Sequence, residues 1–428
     1  DYIWHPFTQM KEYLKEDPLV IEDSDGVYLI DSDGNRYIDG VSSLWVNIHG
    51  HKVSKINKAI KNQVDKIAHS TLLGVTNPSA SLLAKKLIDI SPAGLKKVFY
   101  SGDGASAVEV ALKMAFQYWL IKGKKRKNNF VCLKDGYHGD TLGAVSVGGI
   151  DVFHSTFKPL LFKSYKIPSY DSSDNTIARL ESILIKKADT IAALIMEPYV
   201  QAAGGIKVAT KGYLKKIQKL CKKFDVLLIL DEVATGFGRT GEMFACDHDN
   251  VTPDILVLGK GLTGGYLPLS ATITTNDIFE TFLGEHEELK AFFHGHSYSG
   301  NPLACSAAIA NLEIFEEEQT IKKAKKVIEI FEEELKEFSG LEHVSSVRNK
   351  GLMAGIDLKK NVKKNINYKF NERIGKKVCD IAKKDGVLIR PLGDTIVIMP
   401  PVSIKQKELK KLTRTIYKSI KVATENES

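Results

Sequence analysis

The sequence predicts an α/β fold, in which a mostly parallel sheet lies between layers of helices, with a smaller α+β domain built from both ends of the chain. Three short segments, 191–196, 226–230 and 255–258, are apolar at every position, which is typical of strands that are buried on both faces. Segments with the apolar spacing of helices lie between them. This repeated alternation favours a parallel sheet that is covered by helices on both sides.

The elements are predicted in chain order from apolar periodicity and turn residues. Residues 19–40 alternate apolar and polar side chains around Asp33 and Gly34, which predicts two or three antiparallel strands joined by a tight turn. Further predicted elements are helices over 53–68, 79–89, 108–119, 212–224, 311–338 and 405–422, and strands over 98–100, 130–133, 351–357 and 395–399. The strands between residues 98 and 258 belong to the large sheet.

We expect two domains, because 428 residues exceed the ~100–200 residues of a typical single domain. The strand and helix alternation predicts a large domain over residues 49–310. The strands near the two termini predict a small domain that is assembled from residues 1–48 and 311–428.

Composition limits the possible function classes. A hydrophobic content of 43% with 26% charged residues is ordinary for a globular enzyme. No apolar run reaches the ~18 residues that cross a bilayer, so we expect no membrane partner. The net charge of +8 raises nucleic-acid binding as an alternative, with the basic run 122–127 as the candidate surface. We favour solvated charge there and no nucleic-acid partner, because no basic stripe interleaved with aromatic residues stands out.

The five cysteines, at positions 132, 221, 246, 305 and 379, are scattered and form no CxxC pair. This pattern favours reduced thiols in the cytoplasm over a disulfide framework or a zinc site, so we predict no metal. The first residues contain no charged-then-apolar leader that resembles a secretion signal, although the sequence does not begin with methionine.

Residues that can carry chemistry lie where the predicted parallel strands end, which is the edge at which open α/β sheets bind ligands. Residues 101–106, Ser-Gly-Asp-Gly-Ala-Ser, precede the helix 108–119. Small residues there let backbone N–H groups approach a phosphate at the positive end of a helix, although an ordinary tight turn uses the same residue types. The spacing is not GxGxxG, which counts against a dinucleotide site.

Two further side chains belong to the same edge. Tyr137 lies in the segment 136–140, Gly-Tyr-His-Gly-Asp, and is either a ring that stacks on a planar cofactor or an ordinary loop tyrosine. Asp231 ends a strand of buried aliphatic residues. A carboxylate in that position needs a cation or a protonated nitrogen as its partner, and a pyridinium nitrogen is a good candidate.

Lys260 follows the strand 255–258 between two glycines, so its amine can enter the same crevice and form a Schiff base with a carbonyl compound. A phosphate turn, a stacking aromatic, a buried carboxylate and a strand-end lysine are together the groups that pyridoxal phosphate chemistry requires. We therefore predict Lys260, Asp231 and Tyr137 as catalytic residues and pyridoxal 5'-phosphate as the cofactor.

Two segments resemble the signature of the class III aminotransferases: Asp-Glu-Val-Ala-Thr-Gly-Phe-Gly-Arg-Thr-Gly at 231–241 and Gly-Lys-Gly-Leu-Thr-Gly-Gly at 259–265. The resemblance covers essentially the whole chain. It implies fold type I of the pyridoxal phosphate enzymes and a homodimer with active sites at the subunit interface. The cofactor-binding residues that it implies, beside Lys260 and Asp231, are Gly104 and Ala105 in the phosphate turn, Tyr137 and Val233 around the ring, Glu197 as an acid near the ring, and Ser297 as a phosphate ligand from the neighbouring subunit.

Within that family, the segments 4–10, 42–45, 113–119 and 390–393 are similar to a branch that acts in biotin synthesis. The resemblance implies a small-molecule amino donor and a keto acceptor, 8-amino-7-oxononanoate, which becomes 7,8-diaminononanoate. The acceptor's carboxylate would pair with an arginine at position 390. The residues implied around the substrate are Trp45, Asp140, Arg239, Gly295 and Arg390. A structural ion pair is the alternative role for Arg239.

The amino donor stays open between S-adenosyl-L-methionine and L-lysine. The better-known members that use S-adenosylmethionine have tyrosine where this chain has Phe7, tryptophan where it has Leu44, and Pro-Thr where it has His296-Ser297. Losing a hydroxyl and an indole removes a hydrogen bond and a stacking surface suited to an adenosyl group. These positions favour lysine, whereas overall similarity favours S-adenosylmethionine. An ω-amino acid or diamine:pyruvate transaminase is the alternative within the family.

Overall fold

The computed structural model describes residues 2–170 and 173–425. The strands in this part of the chain are β1 (Ile21–Asp25), β2 (Tyr28–Asp31), β3 (Arg36–Asp39), β4 (Leu95–Ser101), β5 (Asn129–Leu133), β6 (Tyr165–Ile167), β7 (Ile191–Met196), β8 (Val200–Gln201), β9 (Lys207–Val208), β10 (Leu227–Asp231), β11 (Ile255–Leu258), β12 (Ser270–Thr275), β13 (Val344–Lys350), β14 (Met353–Leu358), β15 (Val387–Leu388), β16 (Arg390–Leu392) and β17 (Thr395–Ile398). The α-helices there are α1 (Met10–Tyr13), α2 (Ser42–Trp45), α3 (Ser54–Val64), α4 (Pro78–Ile90), α5 (Gly104–Ile121), α6 (Leu142–Val147), α7 (Asp151–His154), α8 (Ser173–Lys187), α9 (Tyr213–Lys223), α10 (Asn276–Thr281), α11 (Pro302–Glu317), α12 (Thr320–Lys336), α13 (Ile374–Lys384) and α14 (Gln406–Glu425).

The largest sheet has, among the described residues, seven strands in the order β4, β12, β11, β10, β7, β5, β6. β12 is antiparallel to both of its neighbours, and the pairs from β11 to β6 are parallel. β4 therefore points the same way as the parallel strands. As a result, the carboxyl ends of β4, β11, β10, β7 and β5 lie along one edge of the sheet, which is where the site is built.

Both faces of this sheet are buried. Along β10, Leu228 and Leu230 belong to one hydrophobic core, whereas Leu227 and Ile229 belong to another. Helix α5 covers the second face and is apolar nearly all round, which is typical of a helix that is buried rather than half exposed. The predicted α/β architecture, a mostly parallel sheet between helices, is confirmed. No helix within residues 2–170 and 173–425 is both long and apolar enough to cross a membrane.

The two ends of the chain meet in a smaller sheet, because β15 pairs in parallel with β3 through Val387 and Ile38. β2 and β3 form the expected antiparallel hairpin, and Gly34 in its turn has a φ of 83°. β13, β14, β17 and β16 form a separate antiparallel sheet. This arrangement agrees with a small domain from both termini, and the bounds 1–48, 49–310 and 311–428 stay a prediction.

The single helix predicted over 311–338 is wrong. The structure has two helices there, α11 and α12, separated by Gln319 in the left-handed conformation at φ 50°. Three consecutive glutamates at 316–318 lie at the end of α11. Residues 316–320, Glu-Glu-Glu-Gln-Thr, contain no glycine or proline to mark the break, so apolar spacing alone did not predict it.

Candidate active site

Lys260 lies just beyond the carboxyl end of β11, where the chain enters a short 3-10 turn. Its φ of 43° is left-handed, a conformation that non-glycine residues keep only where the surroundings enforce it. The amine lies 4.8 Å from the centroid of the Trp45 ring. Burial lowers the pKa of Lys260, and the carboxylates of Asp231 and Glu197 oppose that shift. Lys260 is therefore closer to its neutral, nucleophilic form than a surface lysine at the same pH.

Asp231 is the last residue of β10 and is only 4% exposed. Its Oδ2 accepts a hydrogen bond from His138 Nδ1 at 2.7 Å, and its Oδ1 accepts one from the backbone N–H of Val233 at 3.0 Å. Sequence reasoning assigned no role to His138, although it lies in the same short segment as Tyr137. The available clue was that a buried carboxylate needs a partner. His138 fixes the orientation of Asp231 at the cavity wall.

Glu197 follows β7 and is 3% exposed. Its two carboxylate oxygens accept backbone hydrogen bonds from Tyr137 at 3.1 Å and Ala202 at 2.8 Å. Burial raises the pKa of Glu197 to about 7, with His138 opposing the shift and Asp231 adding to it. The carboxyl group therefore changes its protonation state near neutral pH.

This raised pKa predicts a pH-dependent effect on stability. Between the ordinary value of 4.5 and about 7, Glu197 binds more protons in the folded than in the unfolded state, so its contribution to stability falls as the pH rises through that window. We expect Glu197→Gln, which is neutral at every pH, to gain about 2–3 kcal/mol in unfolding free energy relative to wild type between pH 4.5 and pH 8. Urea denaturation of the cofactor-free proteins at both pH values measures this gain.

Glu329→Gln is the matched control, because Glu329 is exposed in the middle of α12. Its stability relative to wild type should be the same at the two pH values. An equal gain in this control, or no gain in Glu197→Gln, would contradict the assignment of the effect to the buried carboxyl group.

The turn before α5 forms part of the cavity wall, and the Asp103 side chain caps the helix. A Cβ added to Gly104 would lie 2.7 Å from a methyl carbon of Val233, and one added to Gly139, whose φ is 113°, would lie 2.2 Å from the Cβ of Ala105. Only glycine fits at these two positions. Asp103 Oδ1 accepts from the N–H of Ser106 at 2.9 Å, whereas Gly104 and Ala105 line the cavity at the start of the 18-residue helix. The positive end of a helix favours an anion such as a phosphate.

Tyr137 is held in place from two sides. Its hydroxyl donates a hydrogen bond to Asp140 Oδ2 at 2.6 Å, and its ring stacks on His154 with centroids 6.1 Å apart and planes at 13°. Burial raises the pKa of Tyr137, so the hydroxyl stays a donor at neutral pH. His154 was missed in the sequence, because nothing near it in the chain resembles a functional motif.

These groups line one cavity of about 680 Å³. The predicted site residues among its lining are Trp45, Gly104, Ala105, Tyr137, Asp140, Glu197, Asp231, Val233 and Lys260. A recess of about 110 Å³ adjoins the cavity, since both are lined by Trp45, Tyr137 and Lys260. The other walls of the recess are Phe7, Leu44, Phe153, Ala203, Leu392 and Val397, together with the charged side chain of Arg390. The strand-end segments therefore meet at one site, as expected for a parallel sheet.

Arg239 lies outside the described residues that line the cavity and the recess. It is 1% exposed and donates hydrogen bonds to Pro400 O at 2.6 Å, Asn47 O at 2.7 Å and Ser42 Oγ at 3.1 Å. These acceptors are neutral protein oxygens, so none of the three contacts is an ion pair, and a substrate contact of Arg239 stays a prediction. Arg239 supports the loop that carries Trp45.

Gly295 and Ser297 lie in an exposed segment. Neither belongs to the described residues that line it. Their neighbour His296 is close to the phosphate turn, since a Cβ added to Gly102 would lie 3.6 Å from its ring. A role for Ser297 in the site of a neighbouring subunit stays a prediction.

Known proteins with similar sequences identify the family of this chain. Residues 11–420 match the model of the family described as aminotransferase class-III. The chain is 51% identical to an adenosylmethionine-8-amino-7-oxononanoate aminotransferase from Aquifex aeolicus, over 98% of this chain and 96% of the relative. It is 48% identical to the protein of the same name from Methanocaldococcus jannaschii, over 99% of this chain and 97% of the relative.

Solved structures agree as well. The crystal structure of adenosylmethionine-8-amino-7-oxononanoate aminotransferase from Methanocaldococcus jannaschii has a TM-score of 0.96 and 49% identity, covering 98% of this chain and 97% of that one. An amine transaminase from an uncultivated Pseudomonas species, in its PLP-bound form, has a TM-score of 0.93 and 34% identity, covering 100% of this chain and 99% of that one. The family resemblance read from residues 231–241 and 259–265 is confirmed, and with a match from residue 11 to residue 420 the chain belongs to the class III aminotransferases.

Proposed function

We propose that the chain catalyses the transamination of 8-amino-7-oxononanoate to 7,8-diaminononanoate in biotin synthesis, with pyridoxal 5'-phosphate as cofactor and S-adenosyl-L-methionine or L-lysine as amino donor. The observation that carries the proposal is the cavity in which the amine of Lys260 meets a buried carboxylate and the start of a long helix. The substrate is supported by relatives named for it that are 45–51% identical over at least 98% of this chain.

The residues of the cavity fit each part of this cofactor. The glycine turn before α5 offers backbone donors for the phosphate. Asp231, oriented by His138, offers a negative charge to a protonated ring nitrogen. Tyr137 and Val233 line the space between these two ends and offer ring and aliphatic surfaces for stacking. Lys260 supplies the amine that bonds to an aldehyde.

When bound, pyridoxal phosphate supplies an aldehyde that exchanges between amines and a ring that accepts an electron pair. Lys260 Nζ, with its pKa lowered by burial, takes the proton from the carbon that bears the donor's amino group. The carboxylate of Asp231 keeps positive charge at the ring nitrogen, which makes that proton more acidic. His138 Nδ1 holds the carboxylate in this orientation. With the keto acceptor, Lys260 Nζ returns a proton to the carbon that carried the ketone.

The recess beside Lys260 suits a keto acid with a long chain. The acceptor has an aliphatic segment between its ketone and its carboxylate, and the walls formed by Phe7, Leu44 and Leu392 are apolar. The guanidinium of Arg390 lies 5.9 Å from the centroid of the Phe7 ring and is exposed. It is therefore free to form a charge-assisted, bidentate contact with the carboxylate.

We expect Arg390→Ala to raise the KM for 8-amino-7-oxononanoate by about 10- to 100-fold, because a hydrogen bond between charged groups contributes about 1.5–3 kcal/mol. The KM of Arg390→Lys should lie between those of Arg390→Ala and wild type, since an ammonium keeps the positive charge but not the planar pair of donors. Steady-state kinetics with the keto acceptor as the varied substrate measures the change.

Two controls make this measurement specific to the carboxylate. Arg414→Ala removes an exposed arginine from α14 and should leave the KM unchanged. The matching amino ketone without a carboxylate should react equally well with wild type and Arg390→Ala. If the variant lost affinity for that ketone too, the effect would come from packing in the recess rather than from the charge.

The test of the proposed function is the half-reaction with each donor. Purified, cofactor-loaded protein is mixed with S-adenosylmethionine or L-lysine, and the absorbance change from the aldehyde to the amine form of the cofactor is followed. Conversion by one donor, reversed by 8-amino-7-oxononanoate, supports the proposal and identifies the donor. Conversion by neither, with pyruvate-dependent turnover of simple amines and no growth rescue of a biotin auxotroph, would establish the ω-amino acid or diamine:pyruvate transaminase instead.

We also propose that two copies of the chain form the active unit. Leu73 is 89% exposed and Phe293 is 73% exposed. A hydrogen bond from Asn301 Nδ2 to Ala68 O at 3.0 Å joins the segments that carry them, so exposed apolar side chains lie on two neighbouring segments. Such exposed apolar groups are typical of protein interfaces. Light scattering should give twice the chain mass of 47.4 kDa. A fully active protein of single mass would contradict the dimer.

A further inference from the structure

Four consecutive non-glycine residues, α2, have a left-handed backbone, with φ values of 50°, 48°, 70° and 70° from Ser42 to Trp45. The hydrogen bonds are those of one helical turn, from Trp45 N to Val41 O at 2.7 Å and from Val46 N to Ser42 O at 3.0 Å. In left-handed backbone the Cβ of an L-residue crowds the following carbonyl oxygen. Such a turn persists only where the surrounding structure enforces it, and this is most often found at functional sites.

The carboxylate of Asp39 accepts hydrogen bonds from the turn at its amino-terminal side. Asp39 ends β3 and is 1% exposed. Its Oδ1 accepts a hydrogen bond from the backbone N–H of Ser43 at 2.8 Å, and its Oδ2 accepts one from Ser43 Oγ at 2.7 Å. Oδ2 also accepts one from His51 Nε2 at 3.0 Å. A single buried carboxylate therefore receives three donors, two of which come from inside the strained turn.

His51 connects Asp39 to Asn47, which lies after the other end of the turn. Asn47 Oδ1 accepts from the backbone N–H of Gly50 at 2.7 Å, which leaves Asn47 Nδ2 to donate to His51 Nδ1 at 3.1 Å. Because Nδ1 is an acceptor, the proton of His51 lies on Nε2 and points at Asp39. Asp39, His51 and Asn47 thus form a continuous chain of hydrogen bonds that spans the turn.

The turn carries two walls of the site. The ring of Trp45 faces the amine of Lys260 at 4.8 Å, and Leu44 lines the recess. We propose that Asp39 and His51 are positioning residues, which hold α2 in its left-handed form so that these two side chains shape the entry of the substrate. The role in substrate entry rests on the proposed function, whereas the strained backbone does not.

The handedness of the turn is tested by glycine and alanine at one position. Leu44→Gly and Leu44→Ala both remove the contacts beyond Cβ, but left-handed backbone is strained for alanine and not for glycine. We expect Leu44→Gly to melt about 2 °C above Leu44→Ala in the cofactor-loaded protein. In an ordinary right-handed helix the order would be the reverse, because glycine is then the weaker helix former. Leu44→Ala melting at or above Leu44→Gly would overturn the strained turn.

The positioning role is tested by comparing Asp39→Asn with Asp31→Asn. Asp31 is also buried in the small sheet and accepts hydrogen bonds from Asn35 and Tyr37, but it lines neither the cavity nor the recess. We expect Asp39→Asn to raise the KM for the keto acceptor about tenfold while kcat changes less than about threefold, the signature of lost ground-state positioning. Asp31→Asn should lower the melting temperature without changing that KM. Ser43→Ala removes the hydrogen bond from Ser43 Oγ to Asp39 and should raise the same KM by a smaller factor.

The possible results separate the inference from the proposed function. Equal KM values for Asp39→Asn, Ser43→Ala and wild type would overturn the positioning role, even where both variants melt early. A rise in KM that Asp31→Asn shares would overturn it too, because the effect would then follow from destabilisation of the sheet. If the chain did not turn over the proposed ketone at all, the melting order of the two Leu44 variants would still decide whether the turn is left-handed.

Discussion

Replacing Lys260 with alanine is expected to lower kcat for aminotransfer by about 10,000-fold or more. The substitution removes the amine that bonds the cofactor's aldehyde and also the base that carries the proton, and proton transfer by a positioned side chain alone contributes about 100- to 10,000-fold. Single-turnover absorbance measurements with the amino donor follow the half-reaction directly. The variant should still fold, because the amine of Lys260 is at a cavity and the strand β11 behind it is unchanged.

Two further lysine substitutions serve as controls. Lys127 is 5% exposed, burial lowers its pKa, and its amine donates to Ile191 O at 3.2 Å, but it is not among the residues that line the cavity. Lys127→Ala should lose stability and keep its activity per folded molecule. Lys260→Arg keeps a positive charge but offers no base at neutral pH, so it should be as inactive as the alanine variant. Activity of Lys260→Arg within about tenfold of wild type would contradict the role of Lys260 as the base.

The position of the site follows from the sequence because a parallel sheet imposes it. Apolar runs as short as 191–196 and 255–258 are typical of strands buried on both faces, and the carboxyl ends of parallel strands share one edge. Asp231 and Lys260 directly follow or end such strands, so their proximity could be predicted without knowing any distance. The glycines of the phosphate turn are likewise a local feature, since they are required by close backbone approach.

Contacts between distant segments could not be predicted in this way. His138 is recognisable as functional only once its ring is known to face Asp231, 93 positions along the chain. The hydrogen bond from Arg239 to Pro400 O joins positions that are 161 residues apart, so no local pattern in the sequence indicates it. The left-handed α2 contains no glycine, so the sequence does not indicate its conformation. Its backbone is held by Asp39 and its neighbours rather than by the propensity of its own residues.

Asp231→Asn is expected to slow the half-reaction with the amino donor by about 150- to 5,000-fold. Asparagine has nearly the same shape, and its amide oxygen can still accept a hydrogen bond from the backbone of Val233 or from His138. It has no negative charge to hold a proton on the cofactor's ring nitrogen. Loss of one charge from a buried pair costs about 3–5 kcal/mol, which corresponds to this change in rate.

A second strand-end aspartate provides the control for that experiment. Asp254 precedes β11 at the opposite edge of the same sheet, its Oδ2 accepts from Leu228 N at 2.7 Å, and burial raises its pKa. Asp254→Asn should therefore change stability and leave the single-turnover rate within about threefold of wild type. Both variants replace a carboxylate oxygen with an amide nitrogen, and they lie on adjacent strands. A rate loss that is confined to Asp231→Asn would therefore assign the effect to the negative charge inside the cavity. Equal loss in both would mean that the carboxylate of Asp231 only supports the sheet.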